Sequence, residues 1–368
     1  MERANVIIVG GGVVGCAIAA ALAPRLSDVF LLEALPRVGL LTSTRNSGVI
    51  HAGLYYPPGS LKARGCVEGN RLTYQFCAAY GVPHKKTGKF IVATSPEEEE
   101  QLDSLLQRGR ENGVEGLEQM TGATLRQQEP HVAGRLALHV ASSGLVESES
   151  LVKTYAAVAA AHGAYIATDA RLEAAEPGPD YVRIRAGQAG ELETRVLVNA
   201  AGLFADEVAA LFGNRRYKIY PCRGEYWEAA ASKAHLVNGL VYPAPDPTGL
   251  SLGVHLTKTL WGTLLLGPNA RYLEDKNDYE TNRESRESFC ARVQRLLPQL
   301  QPDDLRPGYS GIRAKLTPPG QYGGADFVVT RDPTYPQVIH LIGIDSPGLT
   351  AAPALARQVA QLVKESLA

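Results

Sequence analysis

Two short apolar runs, separated by a stretch of small residues, open the chain. Val6–Val9 and Val29–Leu32 each contain four consecutive apolar residues, a length and composition typical of a buried strand. Between them, residues 16–22 (CAIAAAL) are small and apolar and predict a helix. The order strand, helix, strand predicts a βαβ unit at the N-terminus, the building block of a parallel sheet.

Strand and helix patterns continue along the chain without an internal repeat. A helix is predicted over 65–81 and ends at Gly81, and another follows Ser95, which serves as its N-cap with Pro96 in the first position. Further strands are predicted at 88–94, 164–176, 180–187, 193–202, several places within 217–266, 326–332 and 338–344, and further helices within 120–130, 139–164, 283–297 and 346–367.

The predicted elements divide between two domains. Residues 1–85, 140–215 and 308–368 are expected to form a layered α/β domain that is discontinuous in sequence. Residues 86–139 and 216–307 are rich in predicted strands and are expected to form a second domain. The fold class is α/β, or α+β when the second domain is included. A cleft between two such domains is the usual place for a small-molecule site.

Three glycines follow the first predicted strand at the spacing G-x-G-x-x-G. Gly10 permits a tight turn, Gly12 lets the backbone approach a pyrophosphate, and Gly15 lets the helix pack closely on the sheet. The helix N-terminus offers N–H groups to the phosphates, and Glu33 ends the second strand where it can accept hydrogen bonds from a ribose. The pattern predicts a dinucleotide site but does not distinguish FAD from NAD.

Charge and cysteine content narrow the class of protein. Lys and Arg number 37 against 38 Asp and Glu, a balance without the basic excess of nucleic-acid-binding proteins. The five cysteines are scattered without metal-ligand spacing, which predicts reduced, buried thiols and no metal site. The apolar N-terminus resembles a secretion signal, but cleavage would remove the glycine loop. We therefore expect a cytoplasmic protein without a transmembrane segment.

Longer segments carry a specific family resemblance. They include TSTRNSGVIHAGLYYPPGSLKARGCVEGN (42–70), PCRGEYW (221–227), SGIRAKL (310–316) and HLIGIDSPGLTAAPALA (340–356). On these motifs the chain resembles the flavin-dependent D-amino-acid oxidase (DAO) superfamily over nearly its whole length, and within it the L-2-hydroxyglutarate dehydrogenases and oxidases. The resemblance implies a Rossmann-like FAD-binding domain of the glutathione-reductase/DAO type and a second, mainly antiparallel substrate domain.

The resemblance implies FAD rather than NAD. The segment GIRAKLTPPG (311–320) lacks the cysteine to which sarcosine oxidases attach their flavin, so FAD is expected to be non-covalent. Tyr55 stands where glycerol-3-phosphate dehydrogenases carry an arginine for the substrate phosphate, which disfavours a phosphorylated substrate. The residues expected to contact FAD are Gly10, Gly12, Val13, Val14, Gly15, Glu33, Ala34, Thr44, Arg45, Asn46, Ser47, Val49, His51, Ala170, Arg171, Leu172, Ala201, Gly202, Arg313, Ser346, Pro347, Gly348, Leu349 and Thr350.

Oxidation of a 2-hydroxy acid requires a base for the hydroxyl proton and an anchor for the carboxylate. Histidine titrates near neutrality, and either His51 or His255, the latter on a predicted strand over 249–257, is a candidate base. Arg313 is the first candidate anchor because a guanidinium binds a carboxylate through two parallel hydrogen bonds. The other candidate substrate ligands are Tyr55, Arg223, Tyr242 and Lys315.

Three functions are consistent with these residues. The first is FAD-dependent oxidation of a small 2-hydroxy acid, most simply L-2-hydroxyglutarate to 2-oxoglutarate. The second is an amine oxidase of the same fold, acting on glycine, sarcosine or a D-amino acid. The third is a protein in which FAD is only structural. The electron acceptor stays open between oxygen and a quinone, and a quinone would require peripheral contact with the inner face of the cell membrane.

Overall fold

The structure is a computed structural model that describes residues 2–245, 253–321 and 324–368. The α-helices are α1 (Val13–Leu22), α2 (Leu61–Tyr80), α3 (Pro96–Glu111), α4 (Gly122–Gln128), α5 (Ser148–Ala161), α6 (Ala205–Ala210), α7 (Arg286–Val293) and α8 (Gly348–Leu367). Short 3₁₀ turns lie at Gly187–Ala189, Gly202–Phe204, Ala231–Leu236 and Pro302–Asp304.

The strands fall into three sheets. In chain order they are β1 (Glu2–Val9), β2 (Val29–Leu32), β3 (Val49–Ile50), β4 (His84–Lys85), β5 (Phe90–Ala93), β6 (Leu117–Thr121), β7 (Leu136–Val140), β8 (Gly144–Val146), β9 (Tyr165–Ala167), β10 (Leu172–Pro177), β11 (Val182–Ala186), β12 (Gly190–Asn199), β13 (Tyr220–Ala229), β14 (Leu240–Pro243), β15 (Leu256–Lys258), β16 (Leu264–Leu266), β17 (Arg271–Tyr272), β18 (Leu305–Lys315), β19 (Val328–Arg331) and β20 (Val338–Ile342).

The first sheet has the order β10-β11-β12-β1-β2-β9, with β20 beside β12 and β19 beside β20. Strands β12, β1, β2, β9 and β20 run parallel, and Val9 lies level with Leu32 on one side and Asn199 on the other. The strands are apolar on both faces because helices α1, α5 and α8 cover one face of the sheet, and apolar side chains of β10, β11 and α6 pack against the other. The predicted N-terminal βαβ unit and the Rossmann-like domain are confirmed.

The second sheet has the order β17-β13-β16-β15-β14-β5-β7-β6, and β18 pairs with β13. Its pairs are antiparallel except for β14 and β5. The prediction of a mainly antiparallel second domain is therefore confirmed. Because β18 spans Leu305–Lys315, the predicted boundary at 308 divides a strand of this sheet. The chain returns to the first sheet only after Lys315, at β19.

The start of α2 differs from the prediction. The periodic pattern begins near Gly65, but the helix begins at Leu61, where Ser60 Oγ accepts a hydrogen bond from the N–H of Ala63. The Asp326 carboxylate also accepts from the N–H groups of Leu61 and Lys62, at 2.7 and 2.9 Å. This cap comes from 265 residues along the chain, so no local pattern could indicate it. The predicted end at Gly81 and the Ser95 cap of α3 are confirmed.

Two further predictions concern shorter features. The predicted strand over 249–257 falls partly outside the described residues, and the described part places His255 one residue before β15 rather than inside a strand. All five cysteines are buried and unpaired, as expected. Among the helices of the described residues, none combines the length and apolar character that a bilayer crossing requires.

Candidate active site

A large cavity lies between the parallel sheet and the antiparallel sheet. Its volume is about 1260 Å³, above the range of roughly 300–1,000 Å³ usual for small-molecule pockets. Its walls come from the start of α1, the segment 42–51, the C-terminal half of β18 and the start of α8. Side chains of the antiparallel sheet close the opposite end. The cavity therefore has room for a dinucleotide and a small substrate together.

The glycine loop forms one end of this cavity. Gly10 has φ +111°, and a Cβ there would lie 2.5 Å from the carbonyl oxygen of Ala200. Gly12 is the N-cap of α1 and lines the cavity with Val13 and Val14. The N–H of Val13 donates to Ser43 Oγ at 2.8 Å, which ties the segment 42–51 to the helix. The tight turn expected at Gly10 and the close helix packing expected at Gly15 are present, and the approach of Gly12 to a pyrophosphate stays a prediction.

Glu33 lies beside the glycine loop. Its carboxylate accepts from the N–H of Gly11 at 2.8 Å and from the N–H of Leu35 at 2.9 Å. Burial raises the pKa of Glu33, and the backbone donors partly oppose this rise. The N–H of Ala170 donates to the Glu33 carbonyl, so the two predicted adenosine-side segments are adjacent. Glu33 therefore shapes the loop, and its contact with a ribose stays a prediction.

The segment 42–51 is held against β18 by several hydrogen bonds. Thr42 Oγ1 donates to the carbonyl of Ile312 at 2.8 Å, and Tyr309 Oη donates to the carbonyl of Asn46 at 2.6 Å. A Cβ at Gly311 would lie 1.9 Å from the Arg45 carbonyl oxygen, so a glycine is required for this approach. The predicted FAD contacts that line the cavity in this segment are Arg45, Asn46, Ser47, Val49 and His51.

His51 lies in the cavity wall and is fixed through its backbone. Its N–H donates to Thr350 Oγ1 at 3.0 Å, and its carbonyl accepts from Asn70 Nδ2 at 2.8 Å. Burial, with a smaller effect from the charge of Lys89, lowers the pKa of His51 to about 3. Its Nδ1 is buried without a hydrogen-bond partner among the described residues. His51 is therefore a neutral imidazole at neutral pH and can accept a proton.

Arg313 reaches the same cavity from β18. Its Nη1 and Nη2 atoms both donate to the carbonyl oxygen of Asn269 at 3.1 Å, which fixes the plane of the guanidinium. A Cβ at Gly224 would lie 2.8 Å from Nη2, so the missing side chain makes space for this group. Arg313 has donors beyond these two, and they remain available for a carboxylate. Lys315 lines the cavity two residues further along the strand.

Tyr242 and His255 meet at the end of the cavity formed by the antiparallel sheet. Their rings stack with centroids 3.5 Å apart and an interplanar angle of 11°. Tyr55 lines the same region. Behind Tyr55 and Tyr242 lies Lys89, fully buried, with Nζ 4.7 Å from the centroid of each ring. Lys89 is not among the residues predicted from the sequence. The only local signal is a lysine directly before the buried run Phe90–Ala93.

Arg223 requires a correction, because the structure does not bring it to the cavity. It is fully buried in β13 and makes bonds of 3.0 and 2.7 Å to Glu225 Oε1. It also donates to Asp278 Oδ1 at 3.1 Å and to the Thr281 carbonyl at 2.6 Å. These partners occupy its guanidinium, so Arg223 holds the loop after β17 to the sheet and is not a substrate ligand.

Other predicted residues lie near the cavity without lining it. Thr44 donates to the Gly39 carbonyl, and Thr350 supports His51. The predicted lining residues from other segments are Gly202, Ser346, Pro347, Gly348 and Leu349. The predicted residues that are not in the cavity wall are Gly10, Gly15, Glu33, Ala34, Thr44, Ala170, Arg171, Leu172, Ala201, Thr350 and Arg223.

These features define a class of protein before any comparison is made. A glycine-rich βαβ loop opens into a cavity that it shares with an antiparallel sheet, and that sheet supplies the polar side chains of a substrate site. This is the arrangement of a two-domain dinucleotide-dependent enzyme. The residues fit FAD. A Cβ at Gly202 would have no atom within 4 Å and would project into the open cavity, so the glycine leaves space for a cofactor. The start of α8 faces the same space.

Comparison with known proteins identifies the family. A family model described as FAD dependent oxidoreductase (DAO) matches residues 5–362. The mitochondrial L-2-hydroxyglutarate dehydrogenase of Arabidopsis thaliana is 35% identical over 404 residues, covering 98% of this chain and 83% of that protein. The L-2-hydroxyglutarate dehydrogenase of Escherichia coli (strain K12) is 33% identical over 398 residues, covering 98% and 93%. The chain belongs to the DAO family of FAD-dependent oxidoreductases.

Solved structures agree with this assignment. The dithionite-reduced L-alpha-glycerophosphate oxidase from Mycoplasma pneumoniae, with FAD bound, matches with a TM-score of 0.90 and 27% identity, covering 99% of this chain and 95% of that one. Glycine oxidase from Geobacillus kaustophilus matches with a TM-score of 0.83 at 21% identity, covering 99% and 95%, and shows the fold alone. The protein is an enzyme with FAD as cofactor, and the prediction of FAD rather than NAD is confirmed.

Proposed function

We propose that this enzyme oxidises a small 2-hydroxy acid, most simply L-2-hydroxyglutarate, to the 2-oxo acid. The observation that carries the proposal is the presence of a neutral imidazole, His51, and a fixed guanidinium, Arg313, in the wall of one cavity. These are the two groups that the reaction requires from the protein. The relatives named L-2-hydroxyglutarate dehydrogenase, at 33–35% identity over nearly the full chain, indicate which 2-hydroxy acid is the substrate.

The proposed chemistry begins with the carboxylate of the substrate. Arg313 receives it through two parallel N–H···O bonds, which fix its orientation as well as its position. The Asn269 carbonyl holds the guanidinium in place before the substrate arrives. The substrate carbon that bears the hydroxyl is then directed toward the segment 42–51. Orientation of this kind converts a bimolecular encounter into a positioned reaction.

His51 takes the hydroxyl proton as the C–O single bond becomes a carbonyl. The hydrogen on the same carbon leaves as hydride, so the two electrons and the two hydrogens of the alcohol are accounted for. FAD, when bound, supplies the acceptor of that hydride. The base must be unprotonated to act, and burial lowers the pKa of His51 so that it is unprotonated at neutral pH, although the same lowering also weakens it as a base. Thr350 and Asn70 fix the backbone on either side of the imidazole.

The substrate is proposed to be unphosphorylated, and FAD to be bound without a covalent link. Tyr55, in the cavity wall, takes the place expected of an arginine in enzymes that act on a phosphorylated substrate. Cys222 is the cysteine next to Arg313, but it is fully buried and accepts a contact of 4.0 Å from that guanidinium. Its sulfur is therefore not placed to form a link to the flavin. A simple check is acid precipitation, after which all of the flavin is expected in the supernatant.

Anaerobic reduction tests the proposed function. The visible spectrum of the purified holoenzyme is recorded, and L-2-hydroxyglutarate is added without oxygen. Bleaching of the flavin bands supports the proposal, and D-2-hydroxyglutarate should leave them unchanged. Bleaching by glycine, sarcosine or a D-amino acid, and not by L-2-hydroxyglutarate, would show that the protein is an amine oxidase of this fold. Admission of air after bleaching then tests whether oxygen is the acceptor or a quinone is required. The cytoplasmic location stays a prediction.

A further inference from the structure

Lys89 is a buried cation without a counter-ion in the described part of the chain. The side chain is fully buried, and its Nζ has no hydrogen-bond partner there. The ion pairs found in residues 2–245, 253–321 and 324–368 do not include Lys89. Taking an ammonium group out of water costs several kcal/mol unless it is compensated. Because an uncompensated ammonium lowers stability, its presence points to a functional role, and the groups around Lys89 indicate which role that is.

Two aromatic rings lie beside the Lys89 ammonium. Its Nζ lies 4.7 Å from the ring centroids of Tyr55 and of Tyr242. Cation–π contacts of this kind stabilise a buried ammonium only in part. Burial lowers the pKa of Lys89 to about 7, while Cys66 opposes this effect. The positive charge is therefore under-compensated when the site holds no ligand.

Both rings separate Lys89 from the active-site cavity, and both carry an unsatisfied hydroxyl. Tyr55 and Tyr242 line the cavity, and the Oη atom of each is buried without a hydrogen-bond partner in the described residues. Buried polar atoms are usually paired, so two neighbouring hydroxyls of the cavity wall without a partner in the described part of the chain are donors that a ligand can complete. Burial raises the pKa of both hydroxyls, which keeps them protonated and able to donate. The group that two O–H donors and a nearby cation complement is an anion with several acceptor oxygens.

We propose that Tyr55, Tyr242 and Lys89 form the receptor for a second carboxylate of the substrate. The two hydroxyls make the contacts, and Lys89 acts through the rings as the positive charge that favours an anion at this end. Arg313 binds the first carboxylate, so the substrate class is the dicarboxylic 2-hydroxy acids. This inference rests on the proposed function for the identity of the reaction. It assigns to Lys89 a role in substrate specificity. Arg223 does not fill that role, because other residues of the protein occupy its guanidinium.

The test compares two inert ligands of equal chain length. Glutarate carries two carboxylates and pentanoate carries one, and both are titrated into the oxidised holoenzyme while the flavin absorbance is followed. Lys89→Met replaces the ammonium by an unbranched, neutral side chain. We expect Lys89→Met to weaken glutarate binding by about 10- to 100-fold, the effect of a charge a few ångströms away in a partly buried site. Pentanoate binding should change by less than about 3-fold. Lys86→Met, at an exposed lysine three residues earlier, is the matched control.

An equal loss for both ligands, or no loss for glutarate, overturns the proposal. Tyr242→Phe and Tyr55→Phe provide a second route if Lys89→Met does not fold, because each removes one hydroxyl and keeps the ring. Each should weaken glutarate binding by about 5- to 10-fold and leave pentanoate unaffected. Failure of the proposed function looks different. In that case L-2-hydroxyglutarate does not bleach the flavin of the parent enzyme, although the preference for glutarate over pentanoate can still be measured.

Discussion

The two ends of the cavity are built in different ways. The end at the glycine loop consists of backbone groups from a single stretch, Gly10–Gly15, and of Glu33, whose carboxylate accepts two N–H donors from the protein. The opposite end consists of side chains from distant segments, and several of their polar atoms have no partner among the described residues. The first end is built from one local stretch of backbone, whereas the second depends on side chains that the fold brings together from distant segments.

This difference explains where substrate specificity resides. A local backbone loop that presents N–H groups gives a similar environment wherever the fold recurs and suits an invariant cofactor. Side chains with unpaired donors reject any molecule that cannot pair them, because a buried donor left unpaired costs about 1–3 kcal/mol. We therefore expect mutations at the glycine-loop end to act on FAD retention. Mutations at the opposite end should act on the choice and rate of substrate oxidation.

The largest effect is expected from His51→Ala. Loss of the proton acceptor should slow anaerobic flavin reduction by L-2-hydroxyglutarate by about 100- to 10,000-fold, the usual contribution of a general base. The FAD content should stay near that of the parent, because the backbone contacts of residue 51 to Thr350 and Asn70 do not need the imidazole. Stopped-flow absorbance gives the reduction rate. If His255→Ala causes this loss and His51→Ala does not, the role of base passes to His255.

The next largest effect is expected from Arg313→Lys. A lysine keeps the charge but cannot form two parallel bonds to a carboxylate or the paired bonds to Asn269 that fix the guanidinium. The KM for L-2-hydroxyglutarate should rise by about 30- to 100-fold, consistent with the loss of one charged hydrogen bond. Steady-state kinetics with a saturating artificial acceptor measure it. An unchanged KM would remove Arg313 from the substrate site.

These two residues also indicate how much of the site the sequence could predict. His51 and Arg313 lie in long, specific motifs, and the structure brings both to one cavity. Arg223 lies in an equally specific motif, yet it pairs with Glu225 two residues away and with Asp278. The motif indicated that the arginine matters but not whether its partner is a ligand or the protein. That distinction depends on a loop 55 residues further along the chain.

Lys89 is the reverse case, because the sequence does not indicate it and the structure places it beside the cavity wall. Its local sequence is that of an ordinary residue at the start of a strand, and nothing nearby indicates that the ammonium is buried. Burial results from the packing of Tyr55 and Tyr242 over it, which joins segments 34 and 153 residues away in the chain. The N-terminal βαβ unit followed from periodicity and the glycine motif, whereas the mainly antiparallel second domain followed from the family resemblance. The predicted boundary at 308 falls inside β18, because β18 pairs with β13 and strand pairing is a tertiary property.

A smaller effect, at the glycine-loop end, is expected from Glu33→Ala. The substitution leaves the N–H groups of Gly11 and Leu35 without an acceptor and removes the predicted ribose contact. The Kd for FAD should rise by about 10-fold, in line with the loss of a charge-assisted hydrogen bond. Fluorescence titration of the apoprotein measures it. Glu33→Gln can still accept one of the two bonds and should fall between the parent and Glu33→Ala. Equal FAD affinity in all three proteins would exclude a role for Glu33 in cofactor binding.

The smallest effect is on stability, and it comes from Lys89. Burial lowers the pKa of Lys89 from its ordinary value of 10.5 to about 7. Between these two pH values the unfolded chain holds the proton and the folded chain does not, so the contribution of Lys89 to stability rises with pH. At pH 7 and below, the folded protein carries the full cost of the buried charge. Lys89→Met removes this cost together with the compensating cation–π contacts.

We therefore expect the ligand-free Lys89→Met holoenzyme to melt about 3–5 °C above the parent at pH 6.5. The difference should narrow as the pH approaches 10, because the parent loses the charge there. Saturating glutarate should also narrow the difference in melting temperature. Its carboxylate compensates the ammonium of the parent and so stabilises the parent more than the variant, which has no ammonium at this position. Differential scanning fluorimetry across pH, with and without glutarate, measures both trends. A parent more stable than the variant at every pH would mean that the protein already compensates the ammonium, so that the end of the cavity near Lys89 needs no ligand to complete it.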